Sequence, residues 1–134
     1  GELGNSLRVS LCPQQGADSA YNNWTYKDNF DAAPGTSGYA EGVTATNDEV
    51  HVAIVDNGGK FSGTKGTILE TFPFVSLASN AKTSDGSTNF VRDVINRKSE
   101  YKILLPNWIP KPILSRSIYW IGYRFCYFNG IIIR

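Results

Sequence analysis

Apolar and polar residues alternate strictly along Leu7-Arg8-Val9-Ser10-Leu11, which puts Leu7, Val9 and Leu11 on one face. That period of two predicts a half-buried strand, closed by Pro13. The run Glu49-Val50-His51-Val52-Ala53-Ile54-Val55-Asp56 is the clearest strand. Val50, Val52 and Ile54 share one face, and Ala53 and Val55 make the other almost as apolar, so the strand belongs in the middle of a sheet. Asp56-Asn57-Gly58-Gly59 then offers positive-φ turn residues, and a return strand is expected over about Thr67–Phe72, closed by Pro73. The Gly-rich stretch between them predicts a wide or bulged hairpin. Farther on, Phe90, Val91, Val94 and Ile95 fall at helical spacing, predicting a helix over Thr88–Lys98. Ser87 is its candidate N-cap, and Arg97 and Lys98 suit its C-terminal end. Tyr101–Leu105 has the composition of a following strand.

Between these elements lie two polar stretches. Residues 14–47 are rich in Gly, Asn, Asp, Ser and Thr, with Pro34-Gly35 as a turn signal, and residues 76–88 form a second loop. A connection as long as the first points to a functional or interaction region. Strand, long loop, hairpin, helix and strand in that order predict an α+β (mixed α/β) fold, built of a β-hairpin and strands with one amphipathic helix.

Composition changes abruptly near residue 100. The first 100 residues hold all twelve acidic side chains and eight basic ones, a net −4, whereas residues 101–134 hold five basic residues and no acid. The tail also takes 8 of the 11 Ile and 8 of the 17 aromatic residues, with no Ala, Val or Thr. Within it, Pro106, Pro110 and Pro112 precede the most apolar stretch and Arg116 and Arg124 interrupt that stretch, so no run reaches the ~18 uncharged apolar residues of a spanning helix. It reads as a buried segment of unusual composition, a basic aromatic arm, or non-native sequence such as translation past a frameshift in AT-rich DNA. The start, Gly1-Glu2-Leu3-Gly4, has no signal-peptide character, and with no Met in the chain a fragment or processed product is expected. A net charge of +1 gives no general attraction to nucleic acid or anionic membrane.

Candidate chemistry is sparse. His51 is the only histidine, and on an apolar strand it reads as a packed or half-exposed residue rather than a base. Cys12 and Cys126 lack the spacing of a structural zinc site or a disulfide framework. A Ser-His-Asp triad would need a nucleophile elbow of the G-x-S-x-G type, which does not occur. Gly59-Lys60-Phe61-Ser62-Gly63-Thr64-Lys65-Gly66-Thr67 is a poor phosphate loop, because Thr64 stands where Lys belongs and strand formers follow. Asp28 with Asp31, and Asp48 with Glu49, are neighbouring carboxylates whose default is a solvated loop. Asn23-Trp24-Thr25 fits a glycosylation sequon without a secretory signal to give it meaning. Tyr21, Trp24, Tyr26 and Phe30 form an aromatic-rich loop for which packing against the sheet is preferred over binding of carbohydrate or protein. No catalytic, cofactor-binding or metal-ligating residue is assigned, and no enzyme activity is expected.

The order of several segments carries a resemblance. Gly1-Glu2-Leu3-Gly4-Asn5-Ser6-Leu7-Arg8-Val9, Ala33-Pro34-Gly35-Thr36-Ser37 and Asn47-Asp48-Glu49-Val50-His51-Val52 are followed by Gly63-Thr64-Lys65-Gly66-Thr67-Ile68-Leu69-Glu70-Thr71-Phe72. Lys82-Thr83-Ser84-Asp85-Gly86-Ser87, Val94-Ile95-Asn96 and Ser99-Glu100-Tyr101 complete the series. In this collinear order, residues 1–103 resemble the tail sheath protein of contractile-tailed, T-even-like bacteriophages. The resemblance implies a structural subunit of the virion tail, assembled in the bacterial host cytoplasm. Such subunits stack in hexameric rings on a tail tube protein and contract to drive the tube through the host envelope. It implies no cofactor, no active site, no nucleic-acid partner and no membrane binding by this part. On this reading residues 1–103 are a partial sheath domain without the polymerising arms. Residues 104–134 depart from the family pattern, which supports their non-native origin. The 14–47 loop is expected at the surface or between subunits.

Overall fold

The computed structural model describes residues 7–13, 19–101, 103–104 and 132–133. Three antiparallel strands form the sheet: β1 (Leu7–Pro13), β2 (Glu49–Asp56) and β3 (Thr67–Ser76), with β2 in the middle. β1 pairs with β2 without interruption from Leu7 opposite Asp56 to Pro13 opposite Val50. Short helices α1 (Ser19–Asn22) and α2 (Gly38–Gly42) and a 3-10 turn at Lys27–Asn29 lie in the β1–β2 connection. Helix α3 (Val91–Lys98) follows β3. A separate antiparallel pair joins β4 (Ile103–Leu104) to β5 (Ile132–Ile133). The result is a small α+β fold with a three-stranded antiparallel sheet.

Both faces of the sheet are covered. On one, Leu7, Val9 and Leu11 of β1, Val50, Val52 and Ile54 of β2, and Phe72 and Val75 of β3 pack against Phe90, Val91, Val94 and Ile95. This is the helical stripe expected from the sequence laid on the expected strand faces. On the other, Cys12, Ala53 and Val55 pack against Trp24, Tyr26 and Phe30. The 14–47 connection is therefore not a plain loop. Its described part carries helical turns and supplies the second layer of the core, as the packing alternative for the aromatic residues required.

Several boundaries differ from expectation, each because of a tertiary partner. The helix starts at Val91 rather than Thr88, and its N-cap is Phe90, not Ser87. Asn89 and Phe90 are instead drawn along the end of β3, where the Ser76 N–H donates to the Asn89 carbonyl at 2.8 Å, and Thr88 bridges Lys82. Ser87 closes a turn, its N–H donating to Asp85 and its carbonyl accepting from the Thr83 N–H. Pro73 does not end the return strand, because β3 runs on to Ser76. The partners step from Val52 opposite Phe72 to Val50 opposite Val75, so Pro73 and Phe74 together oppose His51. This is a β-bulge, a place where the missing proline N–H costs no ladder bond. In the hairpin connection, Gly59, Gly63 and Gly66 take the positive φ values, whereas Asn57 and Gly58 do not. Of the expected Tyr101–Leu105 strand, Ile103–Leu104 is extended, while Tyr101 lies in a turn. The non-native reading of residues 104–134 falls outside the described residues, apart from Leu104 and Ile132–Ile133.

Candidate functional site: a buried histidine in an aromatic enclosure

The β3 bulge creates the most distinctive polar site. His51 projects from the middle strand to the face covered by the 19–33 segment and is 0% exposed. Phe30 stacks on the imidazole, 4.4 Å between centroids and 11° from parallel. Phe74 meets it edge-on at 4.6 Å, Tyr21 edge-on at 5.9 Å, and Trp24 lies beyond at 6.4 Å.

Both ring nitrogens are engaged. The N–H of Phe74 donates to Nδ1 at 3.1 Å, so Nδ1 carries no proton. Nε2 lies 2.6 Å from the Ala32 carbonyl, an acceptor only, and must donate. The ring is thus the neutral Nε2–H tautomer, and burial pushes its pKa below the ordinary 6.5, partly opposed by the Ala32 carbonyl. Phe74 adopts φ +53°, a left-handed conformation that costs a branched or bulky L-residue about 1–2 kcal/mol. Its N–H is taken by His51, and its carbonyl accepts from Asn89 Nδ2 at 3.1 Å. Side chains here replace the ladder bonds that the bulge removes. With Nδ1 occupied by a backbone donor and its side chain fully buried, His51 holds the bulge in place.

A second buried node is Asp48, also 0% exposed. Its carboxylate accepts from the Ser37 N–H at 2.8 Å, the Ser37 hydroxyl at 2.6 Å and the Ser76 hydroxyl. Each serine oxygen in turn receives a backbone N–H: Ala40 donates to Ser37 Oγ at 3.1 Å, and Ala78 to Ser76 Oγ at 3.0 Å. Ser37 is thereby the N-cap of α2. Neighbouring Glu49 accepts from the Gly35 N–H at 2.9 Å. The pair Asp48 and Glu49 is thus a clamp on residues 35–37, not a solvated loop. Asp28 and Asp31 are exposed, as the default reading had it.

The glycine-rich hairpin connection does hold an anion, one from its own chain. The consecutive N–H groups of Phe61 and Ser62 and the Ser62 hydroxyl all donate to Asp56 Oδ2, at 3.0, 2.7 and 2.7 Å. The amides that a phosphate would need are turned onto this carboxylate. Trp24 donates its indole N–H to Ser10 Oγ at 2.8 Å, anchoring the aromatic layer to β1. Cys12 is buried in that layer.

An open cleft of about 600 Å³ lies between β3, the 83–89 turn and α3, with Thr71, Pro73, Asp85, Asn89, Arg97 and Lys98 among its lining residues. Asp85 is held down to about 2 by the Thr83 hydroxyl and by the Ser87 N–H and hydroxyl. Among the described residues, no group of three or more His, Cys, Asp or Glu side chains could hold a metal ion, and no helix is long and apolar enough to cross a membrane.

Sequence reasoning singled out His51, the aromatic residues and Asp48 but missed their partners: Phe74 for His51, Ser10 for Trp24, and Ser37 and Ser76 for Asp48. Only Ser37 had a local signal, a hydroxyl ahead of a helical turn. The others meet their partners across 14 to 28 residues of chain. No family model matches this chain, and neither the curated proteins nor the solved structures include a match.

Proposed function

We propose that this chain is part of a contractile tail sheath subunit of a T-even-like bacteriophage, a structural component that works by moving as a body. The observation that carries this reading is the collinear series of sheath-like segments over residues 1–103. Their packing lends it support. Ala33–Ser37 and Asn47–Val52, distant in sequence, are joined by the Gly35–Glu49 and Ser37–Asp48 hydrogen bonds. The Thr67–Phe72 segment lies within β3, beside β2.

A contracting cylinder needs subunits that stay rigid while the contacts between them change. A sheet covered on both faces, with its long connection clamped by a buried carboxylate, meets that requirement. The exposed parts of the connection, such as Thr25, Asp28, Asn29 and Glu41–Thr44, remain available for contacts with other sheath subunits or the tube. The alternative, a carbohydrate- or protein-binding module using the aromatic loop 21–30, needs accessible ring faces. Trp24 is 3% exposed and Phe30 8%, so that reading has little platform to stand on.

Flanking DNA tests the proposal directly. The expected result is a sheath reading frame of several hundred codons, continuing in another frame past codon 103 and lying beside a tube gene. Neighbouring genes unrelated to virus particles would refute it.

A further inference from the structure

We propose that His51 is an acid-sensitive latch, whose protonation frees residues 21–33 from the sheet while the helix-packed face stays closed. The inference does not depend on the sheath reading. Its basis is the directionality of the two hydrogen bonds. Nε2–H to the Ala32 carbonyl survives protonation, but Nδ1 accepts from the Phe74 N–H, and a proton added there would set donor against donor. The Phe74 backbone is constrained on both sides of its Cα, by its φ of +53° and by the bond from Asn89 Nδ2 to its carbonyl. The ring must therefore leave Nδ1–Phe74, and Ala32 and the stacked Phe30 are tied to the ring.

Among the described residues, no acid compensates the extra charge. Facing the imidazole are Cys12, its cross-strand partner on β1, Phe74 on β3, and Tyr21, Trp24 and Phe30 on the covering segment. The charged residues of that segment, Lys27, Asp28 and Asp31, make no contact with His51 among its described partners, and Asp28 and Asp31 act on Tyr21 instead. The aromatic faces offer a cation some attraction, but they leave the Phe74 N–H without its acceptor. On the opposite sheet face, the Leu7–Ile54–Ile95 layer contains no titratable partner of this ring. Opening is thus confined to one layer and would uncover Trp24, Tyr26 and Phe30.

The test is amide hydrogen exchange on the full chain between pH 7 and pH 5, corrected for the intrinsic rate, alongside proton NMR of the imidazole. With one histidine in the sequence, its signal needs no mutant for assignment. If the imidazole protonates only in the open form, with an ordinary pKa of 6.5, the opening equilibrium rises by up to about 25-fold over this range. The expected result is a rise approaching that size at Trp24–Ala32 and Phe74, following the imidazole titration, with Val52 and Ile54 unchanged. A rise below threefold at those amides, or equal loss of protection in Val52 and Ile54, would overturn the latch. His51→Gln, if it folds, should remove the pH dependence. If it does not fold, the wild-type exchange profile decides alone.

Discussion

Replacing Asp48 by Ala tests whether the clamp between the 35–37 segment and the sheet holds the fold together. The substitution removes the acceptor for three donors, the Ser37 N–H and the Ser37 and Ser76 hydroxyls, at a site closed to water. A buried donor left unpaired costs about 1–3 kcal/mol. The two hydroxyls can rotate, and their oxygens keep the Ala40 and Ala78 N–H groups, so the Ser37 N–H bears the full penalty and each hydroxyl a part of it. Removing the carboxylate also relieves its own desolvation, which leaves a net loss of about 3–5 kcal/mol. For a domain of this size that corresponds to a fall in Tm of roughly 12–20 °C. Asp48→Asn keeps an oxygen for the Ser37 N–H and offers an NH2 group to serine oxygens that can accept, so about 1–2 kcal/mol is expected. Urea denaturation followed by far-UV circular dichroism measures both. If Asp48→Ala lies within 1 kcal/mol of wild type, or Asp48→Asn is the worse of the two, the clamp does not work as described.

Other perturbations follow from the same contacts. Trp24→Ala should cost about 3–5 kcal/mol by emptying the centre of the aromatic layer, and Trp24→Phe about 1–2 through loss of the indole bond to Ser10; equilibrium unfolding separates the two. Gly59 has φ +75° and a Cβ there would come within 3.0 Å of the Lys65 nitrogen, whereas Gly63, at φ +89°, faces open space. Gly59→Ala should therefore lower Tm more than Gly63→Ala, with the latter losing only the left-handed backbone cost of about 1 kcal/mol. Burial raises the pKa of Glu49 above its ordinary 4.5, partly countered by the Gly35 N–H. The folded chain then keeps this proton to higher pH than the unfolded chain, and the stability so gained is lost as pH rises through the folded value. Measured from pH 4 upward, wild-type stability should fall relative to Glu49→Gln and then level off; a difference independent of pH would refute this.

The local repeat of apolar residues carried much of this architecture. Leu7-x-Val9-x-Leu11 and Glu49–Asp56 are strands because alternation is a property of neighbours, and the 90, 91, 94, 95 stripe is helical for the same reason. Burial on both faces of β2 could likewise be read from Val50–Val55, as could the inward packing of Trp24 and Phe30. Tertiary structure decided the rest. The expected helix includes Thr88–Phe90, but they lie outside it, since the Asn89 carbonyl accepts from Ser76 at the end of β3, the Asn89 N–H donates to Ala81, and Thr88 bridges Lys82. Pro73 looked like a strand end, yet the bulge accommodates it because His51 supplies the acceptor that Phe74 would otherwise lack. Asp48 looked like a loop carboxylate, and its burial depends on serines 11 and 28 residues away. Spacing along a chain reports the repeat of a single element, whereas the partner of a buried polar atom is set by which distant segments the packed sheet brings together.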